Sequence, residues 1–167
     1  MSRILDDVRP GLIVAGAILL FGVSLGIAYG LIEDSIKQFI VNGIASHPAL
    51  HDPESPKKIW RWWLRAHFHS TGISAFTLAL ISITALSSLS SKMKKLVYLL
   101  IGLGGLYALS WFLMTLLAPA LGLNGAHHAL PVEILVMTGV GSLLTGMAIL
   151  FSNIIFGFFS GDSPSER

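Results

Sequence analysis

Six histidines are the residues of this chain that could bind a metal or move a proton near neutral pH. Two of them, His67 and His69, lie in the stretch RWWLRAHFHSTG, residues 61–72, just before a long apolar run. Counted along a helix from His67, the positions i+3, i+4 and i+7 all carry hydroxyl groups: Ser70, Thr71 and Ser74. The same positions counted from His69 are apolar or glycine. The spacing therefore predicts that His67 heads a polar stripe, while His69 faces lipid or a partner.

A histidine at this position has several possible roles. Neutral imidazole is an axial ligand for haem iron and also binds zinc or copper. A catalytic zinc site needs three protein ligands, for which the candidates are His67, His127, His128 and Glu133. Haem needs one histidine and an apolar slot, and the sequence contains no H-E-x-x-H motif, which favours haem. Alternatively, the histidines lie at a membrane interface and form hydrogen bonds with lipid headgroups. An aromatic and basic belt typical of such an interface surrounds them: Trp60, Trp62, Trp63, Arg61 and Arg65.

The composition indicates an integral membrane protein. Of the 167 residues, 53% are hydrophobic and only 12% are charged, about half of the charged fraction of a soluble domain. The net charge of +2 and the lack of a basic run argue against nucleic acid as a partner. Because the chain has no cysteine, disulfides, thiolate zinc sites, iron–sulfur clusters and cysteine catalysis are excluded.

Four segments each carry the roughly 20 apolar residues that a helix needs to cross a bilayer. They span residues 10–32, 67–89, 96–121 and 132–159. We therefore predict an all-α fold, a bundle of four transmembrane helices that forms one domain, residues 1–167, in the lipid bilayer. Residues 33–66 are predicted to form a long loop, because HPALHDPESPKK contains three prolines. The first part of this segment, EDSIKQFIVNGI, either continues helix 1 or lies along the interface.

The loops indicate an orientation and bring the histidines together. The basic turn SSKMKK, residues 90–95, together with Arg3 and Arg9, favours the cytoplasm for both termini of a multi-pass protein in the inner membrane. The segment 33–66 carries as many basic residues, five, and opposes this assignment. With four spans, the first and third loops emerge on the same side, where helix 2 begins. All six histidines are therefore predicted at one end of the bundle, including those in the loops: His47, His51, His127 and His128.

Three short motifs resemble the styrene oxide isomerase family of small four-helix membrane proteins. They are LLFGVSLGI (residues 19–27), SPKKIWRWWLRAH (residues 55–67) and LAPALGLNG (residues 117–125). The resemblance implies a homotrimer with haem b at its subunit interfaces and a histidine at the start of helix 2 as axial ligand. It also implies that ferric iron acts as a Lewis acid toward a small hydrophobic epoxide, which a hydride shift converts to an aldehyde.

The resemblance also selects residues. The Arg-Ala-His triplet of the family corresponds to Arg65, Ala66 and His67, whereas a ligand followed by serine would be His69. We take His67 as the metal ligand and add four further cofactor-binding candidates: His69, Arg65, Ser70 and Thr71. The candidate catalytic residues are Tyr107, Trp111 and Asn124.

The sequence departs from the family at the substrate-positioning residues. A family asparagine about two turns after the ligand is replaced here by Ile73 and Ser74. A family tyrosine falls near Trp111 or Phe112, and the nearest tyrosine is Tyr107. Haem binding is thus better supported than epoxide isomerisation. The rival hypotheses are a non-enzymatic haem subunit for electron transfer or sensing, and a purely structural membrane subunit.

Overall fold

The computed structural model describes residues 2–161, with side chains from residue 7 onward, and its regular structure is helical. It has five helices: α1 Ser2–Ser46, α2 Ser55–Leu86, α3 Ser91–Leu103, α4 Leu106–His127 and α5 Leu130–Phe156. A break at Gly104 and Gly105 separates α3 from α4, which together form one membrane span. The predicted all-α bundle with four membrane-spanning segments is therefore confirmed. Helices suit this setting because they satisfy every backbone hydrogen bond without water.

The segment predicted as a long loop is mostly helical. Helix α1 continues to Ser46 through a non-helical residue, Ile32, and α2 already begins at Ser55, so only residues 47–54 connect them. The extension of α1 buries Ile36 and Ile40, which are four residues apart and share one helix face. The prolines are compatible with this arrangement, because Pro56 occupies the first turn of α2, where no backbone donor is needed.

The other predicted spans are close to the observed ones. The third, residues 96–121, is longer in the structure, because α3 begins at Ser91 and α4 continues to His127. The fourth, residues 132–159, begins and ends two to three residues earlier. Both differences lie at helix ends, where hydropathy is the weakest guide to the boundary.

The helices pack as a bundle with two apolar cores. Helix α2 lies between α1 and α4, while α3 packs on α1 and α5, and α4 packs on α5. One core, at the end where the histidines lie, joins the extension of α1 to α2 and α4: Leu25, Tyr29, Ile36, Ile40, Ile59, Trp63, Ala66, Ala118 and Ala126. The other lies toward the α2–α3 turn: Val8, Ala15, Leu80, Ile81, Leu89, Val97, Tyr98, Ile101 and Leu150.

The connection between α1 and α2 is fixed against an irregular part of α4. Pro119 and Gly122 interrupt that helix, and Gly122 has φ 72° and ψ 168°, a conformation reserved almost entirely for glycine. Nε2 of His51 donates to the carbonyl oxygen of Pro119 over 3.1 Å. Because α4 is interrupted here, some of its backbone carbonyls have no donor within the helix. The side chain of His51 in the connecting loop donates to one of them.

Candidate functional site

His67 is held between α2 and α1. It is partly buried, and its Nδ1 donates a hydrogen bond to the backbone oxygen of Gly22 over 2.7 Å. Since a carbonyl oxygen can only accept, this bond fixes the proton of a neutral ring on Nδ1 and leaves the lone pair on Nε2. Among residues 7–161, no hydrogen-bond partner faces Nε2. His67 is thus oriented as metal-binding histidines are, with its distal nitrogen available.

The imidazole ring of His67 packs against Gly26 on α1. A Cβ atom added at Gly26 would lie 2.7 Å from Cε1 and 3.1 Å from Nδ1 of His67. The imidazole therefore packs on bare backbone, one turn beyond the glycine whose carbonyl it contacts. The rings of Tyr29 and Phe68 complete its surroundings, with centroids 5.9 and 5.2 Å away.

Two of the three hydroxyl groups of the polar stripe, those of Ser70 and Thr71, form hydrogen bonds within α2. Ser70 is fully buried and donates to the backbone oxygen of Ala66 over 2.6 Å, while Thr71 donates to that of His67 over 3.0 Å. Both hydroxyls therefore have acceptors without a ligand. Deeper in the bundle, the hydroxyls of Ser74 and Thr77 are buried and find no partner in the described part of the chain.

His69 lies on a different side of α2 from His67, as the helical spacing predicts, but it faces α4 of the same chain and not lipid or a partner. Its Nδ1 donates to the backbone oxygen of Arg65 over 2.8 Å. Its ring packs on α4, with centroids 5.5 Å from Tyr107 and 5.1 Å from Trp111. The guanidinium of Arg65 lies 5.2 Å from the centre of the Trp111 ring, a cation–π distance. Four of the predicted site residues thus form one cluster between α2 and α4.

A groove of about 420 Å³ adjoins this cluster along α4 and α5. Its lining combines aromatic, aliphatic and titratable side chains: Tyr107, Trp111, Met114, His127, His128, Val132, Glu133, Val136 and Met137. At its edge, Nδ1 of His128 lies 3.1 Å from Oε1 of Glu133. The volume falls in the range of small-molecule sites, and the lining suits a compact apolar ligand.

The structure divides the predicted residues between two sides of α2. His67, Ser70 and Thr71 face or adjoin α1, whereas Tyr107 and Trp111 lie across α2 beside the groove. Within one chain, the preferred iron ligand and two candidate catalytic residues therefore do not share a site. Asn124 joins neither group: its side chain is exposed near the end of α4 and lies outside the groove lining.

The histidine and glutamate set considered for zinc is not assembled. His67 contacts α1, while His127, His128 and Glu133 lie where α4 meets α5. Within the described residues, no three histidine or carboxylate side chains approach closely enough to hold a metal ion together.

Sequence reasoning missed two determinants of these sites. One is Gly26, which determines where the imidazole of His67 lies, because the ring packs on its bare backbone. The other is His51, which the sequence predicts only as a loop residue, yet its ring donates a hydrogen bond to the backbone oxygen of Pro119, 68 residues away. The one available signal was the four-residue spacing of Gly22 and Gly26, which marks a face that a neighbour can approach closely.

Comparison of the chain with family models, curated proteins and solved structures finds no match. A functional interpretation consequently depends on the geometry of the two sites and on the resemblance of the three sequence motifs.

Proposed function

We propose that this protein is a haem b-binding membrane isomerase that rearranges a small hydrophobic epoxide to a carbonyl compound. The observation that carries the proposal is the state of His67, whose Nδ1 is bonded to Gly22 while Nε2 stays free. The three motifs that resemble styrene oxide isomerases support the same assignment, and the second of them ends at His67.

The surroundings of His67 fit a haem. Nε2 provides the single nitrogen ligand that haem iron requires from the protein. Beside it, the outer surface of α1 and α2 exposes large apolar side chains that suit a porphyrin face: Val23, Ile27 and Phe68. Bound there, haem would supply ferric iron as a Lewis acid for the epoxide oxygen. Gly22 and Gly26 would hold the ligand ring at one angle, and the apolar surface would exclude water.

The division of residues across α2 supports a cyclic oligomer. The side of α2 that carries His67 and the side that carries Tyr107 and Trp111 are different surfaces of one chain. Contact between two different surfaces of neighbouring copies is heterologous, and it generates a closed ring when the rotation allows. In the proposed trimer, the groove of one copy faces His67 of the next, and Tyr107 can donate a hydrogen bond to the substrate oxygen.

We also propose that the protein lies in the cytoplasmic membrane with both termini inside. The α2–α3 turn is short, and the start of α3 directly after it carries Lys92, Lys94 and Lys95, which favours the cytoplasmic side for this end of the bundle. Lys95 forms an ion pair with Asp7 over 3.0 Å, so the N-terminal part of α1 lies at that same end.

Absorption spectroscopy of the purified protein tests the cofactor. Protein expressed with sufficient haem should show a Soret band, which His67→Ala should abolish and His69→Ala should retain. Added imidazole should restore part of the band in the His67→Ala protein, because it replaces the missing ligand. A colourless wild-type protein, or equal spectra for wild type and His67→Ala, would refute haem ligation by His67.

The reaction is tested separately, with styrene oxide as the probe and chromatography of the aldehyde as the measurement. Haem-loaded wild type should form phenylacetaldehyde, and the His67→Ala protein should not. If haem binds and no epoxide is rearranged, the isomerase proposal fails while the cofactor proposal stands.

One observation favours a second candidate, a haem subunit for electron transfer or sensing. His69 resembles His67 in that its Nδ1 is bonded to a backbone oxygen, so contact between copies could supply a second axial nitrogen. Six-coordinate haem leaves no position for substrate. A low-spin spectrum that styrene oxide and imidazole leave unchanged, and that becomes high-spin in His69→Ala, would favour this candidate.

A further inference from the structure

A small groove lies between the extension of α1 and the first turns of α2, and a lysine stands on each side of it. Its volume is about 280 Å³. Lys37 approaches it from α1 and Lys57 from α2, and the remaining lining is apolar: Ile40, Val41, Pro56 and Trp60. The groove is separate from both sites described above, because neither His67 nor the residues of the α4–α5 groove line it.

The groove lies at the level of lipid headgroups. Trp60 lines the groove and is only partly buried, and tryptophan is a residue typical of a membrane interface. The apolar run of α2 follows Trp60, and the polar loop 47–54 precedes it. A ligand in the groove would therefore meet water and headgroups on one side and hydrocarbon on the other.

The α2 side of the groove carries positive charge that no ion pair neutralises, whereas Lys37 on the α1 side has the negative charges of Glu33 and Asp34 near it. Lys57 is exposed and forms no ion pair with any side chain from residue 7 to residue 161, and the same holds for Arg61, one turn further along α2. Lys37 contacts Glu33, and its ammonium lies 5.3 Å from the Trp60 ring. The loop carboxylate of Asp52 is already bonded to Lys58 over 2.8 Å.

We propose that this groove binds an anionic phospholipid. The phosphate lies between Lys37 and Lys57, and the glycerol and first acyl carbons lie on the apolar floor beside Val41 and Trp60. An anionic lipid is favoured over a zwitterionic one, because a choline or ethanolamine group would bring a positive charge toward the two lysines and Arg61. The bound lipid joins α1 to α2 and so stabilises the connection between them. The proposal is independent of haem binding.

Native mass spectrometry tests the proposal with the intact protein in detergent. The protein is equilibrated with equal amounts of a phosphatidylglycerol and a phosphatidylcholine that carry the same acyl chains. Wild type should retain the phosphatidylglycerol several-fold more than the phosphatidylcholine. Lys57→Gln should remove most of this preference, and Lys57→Arg should keep it. Lys92→Gln is the matched control, because Lys92 is also exposed and unpaired among the described side chains, but lies at the start of α3, at the opposite end of the bundle.

A second variant separates the groove from general surface charge. Val41 is half exposed on the groove floor, so Val41→Trp fills the space without changing any charge. It should reduce retention of phosphatidylglycerol to the level of Lys57→Gln while the helix content stays unchanged. Equal retention of the two lipids by wild type, or equal losses in Lys57→Gln and Lys92→Gln, would overturn the proposal. The proposal would also be overturned if inorganic phosphate raised the melting temperature as much as the lipid does, because the apolar floor of the groove would then contribute nothing to binding.

Discussion

Nδ1 of His67 and the backbone oxygen of Gly22 are 2.7 Å apart, which ties the proposed iron ligand on α2 to the main chain of α1. A backbone acceptor is less mobile than a side chain, because the helix that carries it is itself packed in the bundle. The bond therefore fixes both the tautomer and the direction of Nε2. The position of the ligand depends on the contact between α1 and α2 as much as on the histidine itself.

The first prediction concerns Gly26, against which the imidazole of His67 packs. Gly26→Ala places a methyl group 2.7 Å from Cε1 of His67, closer than van der Waals contact allows. We expect the unfolding free energy to fall by about 1–3 kcal/mol, as for other overpacked interiors, and the proposed haem absorbance to decrease. Thermal unfolding in detergent, followed by circular dichroism, measures the first effect.

Gly30→Ala is the matched control on the same face of α1. No heavy atom lies within 4 Å of a Cβ built there, so only the gain in helix propensity of roughly 1 kcal/mol remains. If Gly26→Ala were as stable as Gly30→Ala, the close packing of His67 on α1 would be wrong.

The second prediction separates turnover from cofactor binding. Tyr107→Phe removes one hydroxyl from the α4–α5 groove and leaves the His67 side of α2 intact. If Tyr107 donates to the substrate oxygen, epoxide turnover should fall about 10-fold, which corresponds to the loss of one hydrogen bond. The Soret band should not change. Tyr98→Phe serves as the control, since Tyr98 is buried in the core at the opposite end. Equal turnover of the two variants would exclude the hydroxyl from the reaction.

The sequence predicts the part of the structure that depends on periodicity. Apolar run lengths predict four spans, and the period of 3.6 residues correctly places His67 and His69 on different sides of α2. It leaves open whether residues 33–44 continue helix 1, and it does not predict that residues 55–66 are helical, because three prolines dominate the local signal of residues 47–58. The contacts that stabilise helix in both segments, such as the burial of Ile40, come from distant parts of the chain.

Contacts between distant residues explain the other differences. The bond of His51 to Pro119 and the fit of Gly26 against His67 each depend on how two helices are aligned. No local pattern encodes that alignment. The same limit applies to the candidate site. The sequence shows which residues suit a haem, but it does not show that Tyr107 and Trp111 lie on the opposite side of α2 from His67.

The third prediction concerns the interruption of α4. Gly122 has φ 72°, and a Cβ atom there would lie 2.9 Å from the backbone oxygen of Leu50. Gly122→Ala should therefore lower the unfolding free energy by about 1–3 kcal/mol, the usual range for a residue forced into this conformation. It should also detach the loop that carries His51, which limited proteolysis between residues 47 and 54 would detect. Gly141→Ala is the control, because a Cβ there meets no heavy atom within 4 Å. Similar proteolysis of both variants would contradict the contact.

The last prediction uses the carboxylate that precedes α2. Hydrogen bonds from Lys58, the larger influence, and from Ser55 hold the pKa of Asp52 below its ordinary value. A carboxyl group with a lowered pKa in the folded state stabilises the fold above its unfolded pKa, about 4 for aspartate. It loses that contribution as the pH falls through the lower folded value. Asp52→Asn should therefore weaken the acid dependence of the melting temperature below about pH 5. Glu54→Gln removes the same charge from an exposed side chain that lacks these bonds, and it should change the dependence less than Asp52→Asn does. Coincident profiles for Asp52→Asn and wild type would show that the ion pair with Lys58 does not stabilise the start of α2.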